Sequence, residues 1–235
     1  MLNETVPPPG GGVVAITALF AFAVTLISVV TPPSGRRSLL RNANVLGTLF
    51  HEGGHALVAL LVGGGVRRVE IDSAESGATF SHGHAGLGSV LVSAAGYAMP
   101  PLAGLGAAAL LHRGHVSAVL VLTLAAMVFL LLLARDPRTF IMIVVVGAVV
   151  YSALRYAPSW LRTAIAYTEA WLLLTSGLSA VQVLVSNRRL KGFRGHTDDA
   201  AMLAKQTKMP SPLWIGGWFL LNGWALWHAA PLLFH

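Results

Sequence analysis

Apolar blocks long enough to span a bilayer alternate along this chain with short stretches where Arg, Asp, Pro and Gly gather, and that alternation predicts the element order. The apolar blocks fall at about residues 13–31, 39–62, 86–111, 116–134, 139–156, 160–185 and 213–233. Pro32-Pro33 ends the first block and Gly63-Gly64-Gly65 the second. Between the second and third blocks the period changes. Over residues 66–81, Val66, Val69, Ile71 and Phe80 interleave with Arg67, Arg68, Glu70, Asp72 and Thr79, which predicts a short β-hairpin turning at Ser76-Gly77. Pro100 and Pro101 remove backbone donors within the third block and predict a kink there. Residues 186–211 form a polar connector before the last block. The expectation is an all-α polytopic membrane protein of about seven transmembrane helices, with a β-hairpin after the second, in a single domain over residues 1–235.

Composition agrees with that pattern. Hydrophobic residues make up 55% of the chain, charged residues 11%, and the mean hydropathy is +0.69, far from a soluble globular average of about 25% charged. The net charge of +7 reflects 16 Lys and Arg against 9 Asp and Glu; in a polytopic protein such an excess meets anionic lipid at the bilayer surface, so nucleic-acid binding is set aside. With no cysteine in the chain, disulfides and thiolate metal sites are excluded. The first apolar block lacks the basic start and small-residue cleavage site of a signal peptide and reads as a retained helix. Lys and Arg are more numerous in the connectors after blocks two, four and six than in those after one, three and five. The positive-inside rule then puts the N-terminus, the hairpin and the late connector on the cytoplasmic side of the cell membrane.

The chemistry is concentrated in the second block, at His51-Glu52-Gly53-Gly54-His55. On a helix, residues four apart share one face, so both imidazoles can reach one metal ion. Glu52 is turned by about 100° from His51, which suits a base beside the metal better than a ligand. The bare string occurs by chance, but a carboxylate near the middle of a bilayer costs roughly 2.5–3.5 kcal/mol and is seldom there without a partner or a task. A catalytic zinc ion takes three protein ligands and leaves a position for water, so a further carboxylate or imidazole has to come from elsewhere. Glu4, Glu70, Asp72, Glu75 and Asp136 lie in loops as solvated charge. Glu169, Asp198 and Asp199 remain, with His196 as an outsider. Asp198 and Asp199 precede Ala-Ala-Met-Leu-Ala, where a carboxylate can also cap a helix. Glu169, inside an apolar block, can instead support an imidazole or bond to another helix. Spacing alone leaves the choice open. His82, His84, His112, His115, His228 and His235 border loops or the C-terminus and read as surface or interfacial groups.

Several segments together resemble the bacterial branch of the site-2 protease family, the intramembrane zinc metalloproteases. They are Phe50 to Leu57, Gly63 to Val69 with Ser76-Gly77-Ala78-Thr79, Ala95 to Pro100, and Thr197 to Ala204, and the likeness covers about residues 39–233. The resemblance implies Zn2+ held by His51, His55 and Asp199, with Glu52 activating water to hydrolyse a peptide bond of a transmembrane protein substrate in the lipid bilayer. Asp199 is preferred because that branch places its aspartate four residues before a Leu-Ala pair, here Leu203-Ala204. Better-known members carry Leu-Asp-Gly where this chain has Asp-Asp-Ala. The alternative is a proteolytically inactive zinc-binding scaffold or regulator of the same fold.

Overall fold

The computed structural model describes residues 5–30, 44–73, 76–191 and 197–234. Eight helices and one hairpin follow in chain order: α1 Gly11–Val30, α2 Val45–Leu61, β1 Gly65–Ser73, β2 Ser76–His82, α3 Leu87–His112, α4 Val116–Leu133, α5 Pro137–Tyr156, α6 Ser159–Lys191, α7 Asp199–Thr207 and α8 Ser211–Phe234. Expected and observed boundaries agree to within a few residues for α1, α3, α4, α5 and α8. The described residues form eight helices where seven were expected, because the late connector contains α7. Among the described residues four helices, α3 to α6, are long and apolar enough to cross a membrane. At 17 residues, α2 is about 26 Å long at 1.5 Å per residue, short of a hydrocarbon core of about 30 Å. Arg36, Arg37, Arg41, Glu75, Arg194 and His196 lie outside the described residues.

Local chemistry accounts for the boundaries. Gly63, at a φ of +80°, takes the left-handed conformation just past the end of α2, and the Gly64 N–H donates back to the Ala59 carbonyl at 2.8 Å. Asp136 caps α5 by accepting from the Thr139 N–H at 2.9 Å, with Pro137 at the first helical position. Burial works against the Asp136 charge, but bonds from the Thr139 hydroxyl and nearby backbone N–H groups hold its carboxyl below the usual range. Through Pro100 and Pro101, α3 runs as one helix. The sixth helix extends beyond the apolar block to Lys191, and Arg188 in that extension bonds Asp198.

Large apolar side chains point outward on the helices, among them Ile16, Leu19, Leu122, Leu132, Ile141 and Leu220. That surface suits lipid as solvent, with the helices satisfying their own backbone groups. Inside, α6 packs against α1, α3 and α8, and Tyr167, Ala170 and Leu174 are buried with Ala108, Leu120 and Ala225 from its neighbours. A second cluster joins Leu49 and Ala56 of α2 to Val69 and Ile71 of β1 and to Met127, Leu130 and Ile143 of α4 and α5. The antiparallel hairpin pairs Val69 with Thr79 and Ile71 with Gly77. Its β1 edge is taken up by the start of α5, where the Ile71 N–H donates to the Thr139 hydroxyl at 2.6 Å. The expected turn at Ser76-Gly77 is corrected: both residues lie in β2, and Ser76 already pairs with Ser73. A Gly in a strand can mark close backbone approach as well as a turn, and here Gly77 admits Glu52.

Candidate metal centre

The helical repeat of α2 stacks His51 and His55 with ring centroids 4.9 Å apart and Nε2 atoms 3.2 Å apart. Asp199, the first residue of α7, reaches in from far along the chain, with Oδ2 at 3.3 Å from each Nε2. Among the described residues, these three form the group of His and carboxylate side chains able to hold a metal ion. The spacing fits zinc: donors about 2.0–2.1 Å from a tetrahedral ion are separated by roughly 3.3–3.5 Å.

Gly96 of α3 gives a second test of fit. A Cβ added there would lie 2.6 Å from His51 Nε2 and in closer contact with His55 Nε2. The space facing both nitrogens therefore exists because this residue has no side chain. The crossing that brings α3 so near also depends on Gly54, whose added Cβ would meet Met99 Cβ at 2.7 Å. From α3 comes the Val92 carbonyl, which accepts from His55 Nδ1 at 2.7 Å. That bond leaves the Nε2 lone pair free for a ligand and fixes the ring plane. His51 meets Tyr97 edge to face at 4.5 Å between centroids, and Tyr97 leans on Trp218 at 4.4 Å.

Glu52 is 4% exposed and faces the hairpin. The Thr79 hydroxyl in β2 lies 2.7 Å from its Oε2 and 3.0 Å from its backbone carbonyl. A Cβ at Gly77 would sit 2.8 Å from Glu52 Cγ, so the hairpin backbone rests directly on this carboxylate. His51, Glu52, His55, Thr79, Tyr97 and Asp199 all line one cavity of about 800 Å3.

Adjacent aspartates have separate tasks. Asp198 caps α7 by accepting from the Ala201 N–H at 3.0 Å, and both its oxygens bond to the Arg188 guanidinium, Oδ2 at 3.0 Å from Nε. Asp199 faces the imidazoles. With the imidazoles protonated and no ion between them, burial works against its charge, but the attraction of His55 and hydrogen bonds from His51 and His55 hold its carboxyl well below the usual range. Glu169 is not part of this cluster: buried in α6, it accepts a bond from the Thr123 hydroxyl of α4, the interhelical role open to it from sequence. His84 lines the cavity with its Nε2 2.8 Å from the Ser81 hydroxyl, and His228 bonds the Trp224 carbonyl at 2.9 Å. Sequence reasoning gave no role to Val92, Gly96 or Arg188. The signal that could have found Gly96 is its place in the Ala95 to Pro100 stretch that carries the resemblance.

No curated protein and no solved structure matches the chain. The family model described as Peptidase M50B-like matches residues 14–229, from within α1 to within α8 and including every group described above. With nearly its whole length matched, this chain belongs to the Peptidase M50B-like proteins of the site-2 protease family.

Proposed function

We propose that the protein is a zinc-dependent intramembrane endopeptidase that hydrolyses peptide bonds of transmembrane proteins, as in regulated intramembrane proteolysis. In this reading His51, His55 and Asp199 are the metal ligands and Glu52 is the catalytic base. The observation that carries it is the convergence of Asp199 on two imidazoles at tetrahedral spacing, with a buried carboxylate one residue from the first imidazole. When bound, zinc lowers the pKa of water toward about 7 and polarises the scissile carbonyl. Glu52 takes the proton of the attacking water at its carboxylate and delivers it to the leaving amine. The Thr79 hydroxyl orients that carboxylate, and the Val92 carbonyl orients His55.

A transmembrane helix hides its carbonyls in its own hydrogen bonds, so a substrate has to unwind before attack. Among the described residues β2 has a strand on one side only, and it carries Thr79 beside Glu52. An extended substrate segment adding to that edge would lie along the cavity next to the base. Cross-linking from β2 to a bound substrate tests this arrangement, and cross-links confined to the outer faces of α4 and α5 would refute it. The charge distribution supports a multi-pass protein of the cell membrane with its site toward the cytoplasm.

Glu52→Gln is the deciding variant. The protease reading expects zinc content to be kept and cleavage of a co-reconstituted membrane substrate to disappear. If wild-type protein holds zinc but cleaves no membrane substrate, and the variant is indistinguishable from it, the chain is a zinc-binding scaffold instead.

A further inference from the structure

We infer that Arg188 is a positioning residue for the metal centre: by gripping Asp198 it fixes the start of α7 and aims Asp199 at the two imidazoles. The inference rests on the reading of His51, His55 and Asp199 as metal ligands. Arg188 lies near the end of α6 and is 4% exposed, which is rare for an arginine. Its Nε donates to Asp198 Oδ2 at 3.0 Å, Nη2 donates to Asp198 Oδ1, and Nη1 donates to the Ser211 hydroxyl at 2.7 Å. One guanidinium thus ties together the end of α6, the N-cap of α7 and the first residue of α8.

The helix it holds is short. With nine residues, α7 is well below the length at which a helix is stable alone, so its placement depends on external ties. Ala200 and Leu203 supply an apolar face packed with Val181, Leu184 and Trp218. Gln206 Nε2 donates to the Ser89 hydroxyl of α3 at 2.8 Å near the other end. Apolar packing and that distal bond leave the start of α7 to be oriented by something directional. A two-pronged bond from a planar guanidinium fixes orientation as well as distance. Asp198 is the residue immediately before Asp199, so the constraint passes through a single peptide unit to the ligand, whose Oδ2 stands 3.3 Å from both Nε2 atoms. Stability alone does not call for this pair, since well-packed apolar residues often replace a buried ion pair without loss. Directional control of the next side chain does call for it.

The test uses the full chain in detergent micelles, stripped of metal and titrated with Co2+. Visible absorption reports affinity and coordination, and circular dichroism reports folding. Removing a group that orients a metal ligand typically weakens the metal by about 10- to 100-fold. That loss is expected for Arg188→Ala and for Asp198→Asn, which keeps an oxygen to cap α7 but not the paired charge. Because both act on one contact, the double variant should bind no more weakly than the worse single one. Arg189→Ala, at an exposed neighbour, should bind as wild type. Wild-type affinity in Asp198→Asn, or losses that multiply in the double variant, would overturn the inference, and Asp198→Asn decides it even if Arg188→Ala does not fold. A wild-type chain that takes up no Co2+ would instead overturn the metal-centre reading beneath it.

Discussion

Replacing Gly96 by alanine tests how tightly α3 and the two imidazoles define the space for the ion. The new methyl carbon would lie 2.6 Å from His51 Nε2 and 2.7 Å from His51 Cε1, roughly 1 Å inside a nonbonded contact of about 3.5 Å. It presses on the Nε2 atoms of both imidazoles, the atoms that would hold the ion. Overpacking of this kind costs about 1–3 kcal/mol. Alanine also favours a helix over glycine by about 1 kcal/mol, but that gain is common to the metal-free and metal-bound forms and cancels from the affinity. Without metal the imidazole tips can shift slightly away from the methyl while His55 keeps its bond to Val92; with metal they are pinned, so the strain falls mainly on the bound form. Zinc affinity should therefore fall by about 5- to 150-fold, while the melting temperature of the metal-free protein changes little. Gly106 supplies the control in the same helix, because a Cβ there meets nothing within 4 Å. Gly106→Ala should leave zinc affinity unchanged. Competitive zinc titration and thermal melting with and without metal provide both readouts. Wild-type affinity in Gly96→Ala, or an equal loss in Gly106→Ala, would refute the reasoning.

Two further predictions concern the neighbouring carboxylates. Thr79→Val removes the hydroxyl 2.7 Å from Glu52 Oε2; a bond to a charged group contributes about 1.5–3 kcal/mol, so cleavage should drop by about tenfold or more, with zinc content unchanged by metal analysis. Thr123→Val strands the buried Glu169 carboxyl between α4 and α6, and unfolding in micelles should show a loss of about 1–2 kcal/mol with no change in zinc affinity. A drop in zinc content for the second variant would mean that Glu169 supports the centre after all.

The part of the site legible in the sequence is the part that is local. His51 and His55 share a face because of the helical repeat, and Glu52 follows from the same geometry. Among the described residues the apolar blocks of α3 to α6 are helices long and apolar enough to span, because lipid demands long apolar blocks. What sequence left open depends on contacts between segments far apart in the chain. Asp198 and Asp199 are neighbours of identical chemistry. Spacing did not separate them and the resemblance favoured Asp199; the structure sets Asp199 beside the imidazoles and Asp198 on Arg188. Gly77 read as a turn because glycine permits either a turn or a close approach, and the Glu52 side chain that requires the approach lies on another element. The entry to α7 was legible at Asp198-Asp199, but the extension of α6 was not. Arg188 looks like connector charge until its bond to Asp198 is seen, whereas the capping role open to Asp198 from sequence is the one it has.

The most direct test of the central claim is zinc analysis of the purified full chain beside its Asp199→Ala and His55→Ala variants, each checked for retained helicity. The account predicts about one zinc ion per wild-type chain and near-total loss from both folded variants, because each leaves a centre of two protein ligands where zinc takes at least three. A wild-type chain free of zinc after purification in its presence, or an Asp199→Ala variant that holds zinc as tightly as wild type, would contradict it.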